Sequence, residues 1–173
     1  EDELDDCDDK PTFAFYLTSV KGRKERHGVA ADGLSQVKIV LGKGTIKPKD
    51  DCDYTYKWTL SPEIGELSNE ASLENVIYTA PKNFPSVTGN KYTVEAMLTY
   101  TKDGVSEQAP PVKIEIIRVP LALIHGLRSS DECWMNYYKH LLDLGLYEDW
   151  QIKNVDYSPT HNSHFTVNYR RAT

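Results

Sequence analysis

The residues of this 173-residue chain that could do chemistry are few and lie well apart. His125 and Gly126 stand where the apolar run from Val119 to Ile124 stops, just ahead of the polar break Arg128-Ser129-Ser130. His161 and His164 place two imidazoles three residues apart. A zinc site needs three or four ligands, and neither a carboxylate nor a Cys follows Asp156 closely, so this stretch reads as a polar loop and no metal is assigned. Asp5, Asp6, Asp8 and Asp9 offer four carboxylates, but their spacing lacks the central Gly and distal Glu of a calcium loop. The basic cluster Lys21-Gly22-Arg23-Lys24-Glu25-Arg26-His27 could attract an anionic glycan or phosphate, but reads more simply as a solvated turn. Cys7, Cys52 and Cys133 are an odd number, so at least one thiol stays unpaired. A Cys7–Cys52 bridge would staple the N-terminal leader to the loop before the third strand. Cys133 would then be a small apolar packing residue.

The elements needed to position these residues change character along the chain. Residues 1–10 carry seven acids and one lysine, so the formal charge of −6 belongs to them and the remainder sums to zero. Such a leader repels itself and is expected to be disordered. From residue 11 to 118 the pattern is β. Phe13, Phe15 and Leu17 alternate, as do Val37, Ile39 and Leu41, then Tyr54, Tyr56, Trp58 and Leu60. Tyr92, Val94, Ala96, Leu98 and Tyr100 continue the rule, followed by Val112, Ile114 and Ile116. Period-two alternation with one wet face predicts antiparallel sheet. Turn signals at Asp32-Gly33, Gly42-Lys43-Gly44, Thr88-Gly89-Asn90 and Asp103-Gly104 separate about seven short strands, the pattern of a two-sheet sandwich.

From residue 119 to 173 the pattern is α/β. The run at Leu121–Ile124 suits a strand buried on both faces. Ser130 suits a helix N-cap, Asp131 and Glu132 the first turn, and Trp134, Tyr137, Tyr138, Leu141 and Leu142 recur at helical spacing up to Gly145. Ile152 to Tyr157 supplies a second strand, completing a βαβ unit.

Two resemblances follow from these residues. "ADGLSQVKIVL", "YKWTLSPEIGELS", "VIYTAP" and "YTVEAMLTY", in that order, resemble bacterial immunoglobulin-like domains of invasin-like surface proteins. That resemblance makes Trp58 the core tryptophan and Tyr92 a tyrosine corner. The inter-sheet disulfide of antibody domains is absent, since no Cys lies in the second or sixth strand. "PLALIHGL…W…YYKHLLDLGLY…IKNVDYS" resembles the opening of an α/β-hydrolase of the lipase and esterase type, over about a third of the chain. It implies that His125, Gly126 and Leu127 belong to the loop whose backbone N–H groups help form the oxyanion hole. The family's nucleophile elbow, G-x-S-x-G, occurs nowhere in the sequence. No catalytic triad residue can therefore be assigned, and the chain alone is expected to be inactive.

The expected architecture is mainly β: an immunoglobulin-like β-sandwich followed by a partial α/β segment. The expected function is the N-terminal portion of an exported bacterial lipase- or esterase-like hydrolase, acting on an ester or lipid substrate when complete. The alternative is a cell-surface binding or adhesion module with a non-catalytic hydrolase-like tail. No cofactor is expected, no apolar run reaches the ~20 residues of a membrane span, and the lack of a basic field argues against nucleic acid. The chain opens on Glu rather than Met, which predicts a processed N-terminus. A βαβ segment cannot cover all its apolar residues by itself, so a fragment of a larger enzyme that self-associates through exposed faces is expected.

Overall fold

The computed structural model describes residues 2–3, 7, 10–22, 24–49, 52–126 and 130–155. The protein is mainly β, with 44% of the described residues in strands and 11% in helices. The strands are β1 (Asp2–Glu3), β2 (Phe15–Ser19), β3 (Gly28–Ala30), β4 (Gln36–Leu41), β5 (Ile46–Lys47), β6 (Thr55–Ser61), β7 (Glu66–Ser68), β8 (Val76–Thr79), β9 (Lys91–Lys102), β10 (Val105–Gln108), β11 (Val112–Ile117), β12 (Leu121–Ile124) and β13 (Ile152–Val155). Among the described residues one α-helix, α1 (Met135–Asp143), lies between β12 and β13. The chain divides into two compact units: Glu1–Pro85 with Lys91–Ile117, and Ser86–Asn90 with Arg118–Thr173.

In the first unit the alternating segments form two main sheets. One has the order β2-β4-β8-β7, all antiparallel. The other is built on β9, the longest strand. β6 pairs along one of its edges; β10 and β11 pair in succession along the other. β3 adds to β11 in parallel, so the chain leaves the first sheet after β2 and joins the second. The crossing is close: a Cβ on Gly28 would lie 2.0 Å from the Glu115 carbonyl oxygen, so only glycine fits. Pro110 and Pro111 separate β10 from β11 and remove two donors from that edge, which hinders pairing with another chain.

Both sheets contribute to one core. Val37 and Ile39 from β4, Val76 and Tyr78 from β8, Trp58 from β6, Val94, Ala96 and Leu98 from β9, and Ile114 and Ile116 from β11 are all essentially fully buried. The two largest carry polar atoms, and each is satisfied. Trp58 Nε1–H donates to the Ser72 carbonyl at 2.9 Å, and Tyr78 Oη–H donates to the Ile64 carbonyl at 3.0 Å. Phe13 packs edge-on to Tyr100 at 5.1 Å, and Phe15 packs edge-on to Trp58 at 5.0 Å. These contacts place Tyr78 and Tyr100 in the core as packing residues. Tyr92 packs half-buried against the core.

The core makes two measurable statements. Trp58→Ala should destabilise the protein by about 3–5 kcal/mol in urea unfolding, and Trp58→Phe by about 1–3 kcal/mol because the Ser72 carbonyl loses its donor. The second concerns alkaline pH. Burial pushes the Tyr78 hydroxyl up to about 12. Burial, followed by the Glu107 carboxylate, pushes Tyr100 up to about 12. The unfolded tyrosines ionise first, near pH 10, so the stabilisation is intact below that pH and is lost as pH rises towards 12. Tyr78→Phe should flatten part of this decline.

Candidate functional site

The histidine-glycine boundary lies in the second unit. β12 and β13 pair in parallel, with Leu121 opposite Ile152 and Ile124 opposite Val155. The chain between them forms a 3-10 turn at Asp131–Trp134, then α1, so the connection is a helical crossover. Ser130 sits at the N-cap of that turn and makes no side-chain capping bond, and the α-helix proper begins at Met135.

The faces of β12 are unequal. Leu123 is buried with Leu141 of α1 and Ile152 of β13, and Leu121, Trp134, Tyr138, Leu142, Leu146 and Tyr147 pack around them. On the opposite face Ile124 is 51% exposed. The run read from sequence as buried on both faces is thus covered on one, because among the described residues a single helix packs against it. A parallel pair with one bare face is incomplete as a hydrophobic layer.

At the carboxyl end of β12, His125 is only 2% exposed. Its Nδ1 lies 3.0 Å from the Gly126 carbonyl oxygen. Gly126 is exposed, and the position a Cβ would take there has nothing within 4 Å. The imidazole is thus buried at the strand end, while a side chain at the next residue would meet open space. Leu127 lies outside the described residues. Ligands of open α/β sheets bind beyond the carboxyl ends of the strands, which is where this pair is found. Two buried polar atoms of the same unit, Trp134 Nε1 and Asn154 Oδ1, have no hydrogen-bond partner among the described residues. Tyr138 donates to the Asp149 carboxylate, which raises the phenol above its ordinary range.

His161, His164, Asp5, Asp6, Asp8 and Asp9 lie outside the described residues. Among those described, no three His, Cys, Asp or Glu side chains come together to hold a metal. No described helix is long and apolar enough to cross a membrane. In the first unit Glu25, Arg26 and His27 line a groove of 670 Å³ with Tyr16, Lys113 and Glu115. Its cations alternate with carboxylates, so it has no consistent field for an anion.

Cys7 and Cys52 are bridged, and Cys133 is exposed and free rather than packed. Around the bridge, Lys102 Nζ donates to the Cys7 carbonyl at 2.5 Å, and Lys10 pairs with Glu107 at 2.6 Å. Lys10, then the Tyr100 hydroxyl, hold the Glu107 carboxyl below the usual carboxylate range. Residues that composition alone did not single out are Asn90, Arg118, Glu148 and Gln151, which form a hydrogen-bonded group in the second unit. One local signal was present: the Glu148-x-x-Gln151 spacing of a capping box.

The bridge closes a loop 45 residues long, for which chain entropy gives about 4 kcal/mol of stabilisation. Cys7→Ser with Cys52→Ser should lower the urea midpoint accordingly, and reduction of the wild-type chain should reproduce the shift. No family model, curated protein or solved structure matches this chain.

Proposed function

We propose that this chain is the N-terminal portion of an exported bacterial hydrolase of the lipase or esterase type. In this reading the second unit is the opening βαβ of an α/β-hydrolase domain. His125, Gly126 and Leu127 belong to its oxyanion loop, in which backbone N–H groups would stabilise the tetrahedral intermediate of acyl transfer. The observation that carries the reading is the parallel β12–β13 pair with a helical crossover, ending in a buried His125 and an open Gly126. The bare face of β12 supports it further, since a parallel sheet requires cover from additional elements. Self-association through that face is the expected behaviour of the chain in isolation.

The first unit is, in the same reading, an immunoglobulin-like accessory module. Its first sheet, β2-β4-β8-β7, and the β6-β9-β11 part of its second, to which β10 and β3 are added, support this reading, as does the burial of Trp58 on β6. A second reading, a cell-surface binding module, draws on the 670 Å³ groove lined by Tyr16, Arg26 and His27.

The test is the intact mass of the native gene product, together with labelling by a fluorophosphonate probe. The hydrolase reading expects a mass well above 19.7 kDa, labelling of the native product, and no ester hydrolysis by residues 1–173 alone. A native product of this mass that takes no label would overturn it. Glycan or protein binding by residues 11–118 would then support the binding module.

A further inference from the structure

The second unit is discontinuous in sequence. Ser86–Asn90 falls between β8 and β9, yet it groups with the chain from Arg118 onward. The chemistry of that grouping is specific. The Arg118 guanidinium donates from Nε to the Gly89 carbonyl at 2.9 Å and from a terminal nitrogen to the Ser86 carbonyl at 3.0 Å. The Arg118 backbone N–H donates to the Asn90 carbonyl at 3.3 Å. One residue thus engages three carbonyls within a five-residue segment. From the other side, the Asn90 amide donates to Glu148 Oε1 at 2.9 Å and, at a longer 3.4 Å, to Gln151 Oε1.

Gln151 closes the ring. It is 1% exposed and immediately precedes β13. Its Oε1 accepts the Glu148 backbone N–H at 2.9 Å, and its Nε2–H donates to the Arg118 carbonyl at 3.3 Å. Arg118 lies three residues ahead of β12, so the ring joins the entrances of both parallel strands. Gly89 has φ +71°, a left-handed conformation that favours glycine, and its missing Cβ would touch nothing within 4 Å. The glycine therefore serves the backbone turn that presents the Gly89 carbonyl to Arg118, and relieves no clash.

We propose that Ser86–Asn90 is a strap built into the second unit, closed on Arg118, Glu148 and Gln151, and that Arg118 is the latch on which the β12–β13 pair depends. A guanidinium is suited to this work because its fixed fork satisfies two carbonyls at once, which a lysine ammonium on a flexible stem does not reproduce. The strap supplies polar closure at the entrance end of a sheet too small to be held by its core. It stands independently of the hydrolase reading.

The experiment is hydrogen exchange of the full chain followed by mass spectrometry, comparing wild type with Arg118→Met and Asn90→Ala. The strap expects exchange in peptides covering 121–124 and 152–155 to accelerate roughly tenfold in Arg118→Met, with a smaller rise in Asn90→Ala. Peptides covering 36–41 and 91–102 should exchange as in wild type. Unchanged exchange at 121–124 and 152–155 would overturn the latch. An equal acceleration across all four peptides would also overturn it, since the effect would then be general destabilisation. If Arg118→Met does not fold, Asn90→Ala and Gly89→Ala decide by the same local criterion.

Discussion

The first unit depends on the burial of one face of β9. Along Lys91–Lys102 the side chains alternate, and Val94, Ala96, Leu98 and Tyr100 are all but removed from water. That face must be covered, and the sheet of β2, β4, β8 and β7 supplies the cover through Val37, Ile39, Val76 and Tyr78. At roughly 1.5–3 kcal/mol for each fully buried large side chain, the layer dominates every surface ion pair. Because side chains have a period of two, slipping β9 by one residue would turn this face to solvent, so its register against β6 and β11 is strongly specified.

The aromatic residues reveal how polar atoms are accommodated in such a layer. Trp58 and Tyr78 bring one donor each into the core, and each finds a backbone carbonyl from a nearby loop. Those loops, at Ser72 and Ile64, are thereby held against the sheets by the residues they satisfy. An orphaned donor would cost more than the hydrogen bond contributes, so core and loops are specified together. Tyr100 solves the same problem at the edge by donating to Glu107, which Lys10 also engages.

The second unit is governed by the opposite circumstance, too little apolar cover. Leu123, Leu141 and Ile152 form a small core, while Ile124 and Trp150 remain exposed. Polar closure around Arg118 and Gln151 compensates at one end of the strands, and buried His125 at the other. The hydrolase reading and the strap rest on opposite ends of this same pair.

Local periodicity was enough to expose the β character of the first unit. Trp58, Val94, Ile114 and their neighbours advertise a buried face through alternation, a property of each strand by itself. The change to helical spacing at Trp134, Tyr138 and Leu141 was equally local, as was the His125-Gly126 boundary. Other features required the tertiary structure. The bare face of β12 could not be read from a continuous apolar run, because Leu123 and Ile124 are equally apolar and only packing against α1 distinguishes them. The membership of Ser86–Asn90 in the second unit depends on contacts with Arg118, 29 and 32 residues away, which no periodicity encodes. Sequence determines which faces can be buried; the meeting of distant segments decides which of them are.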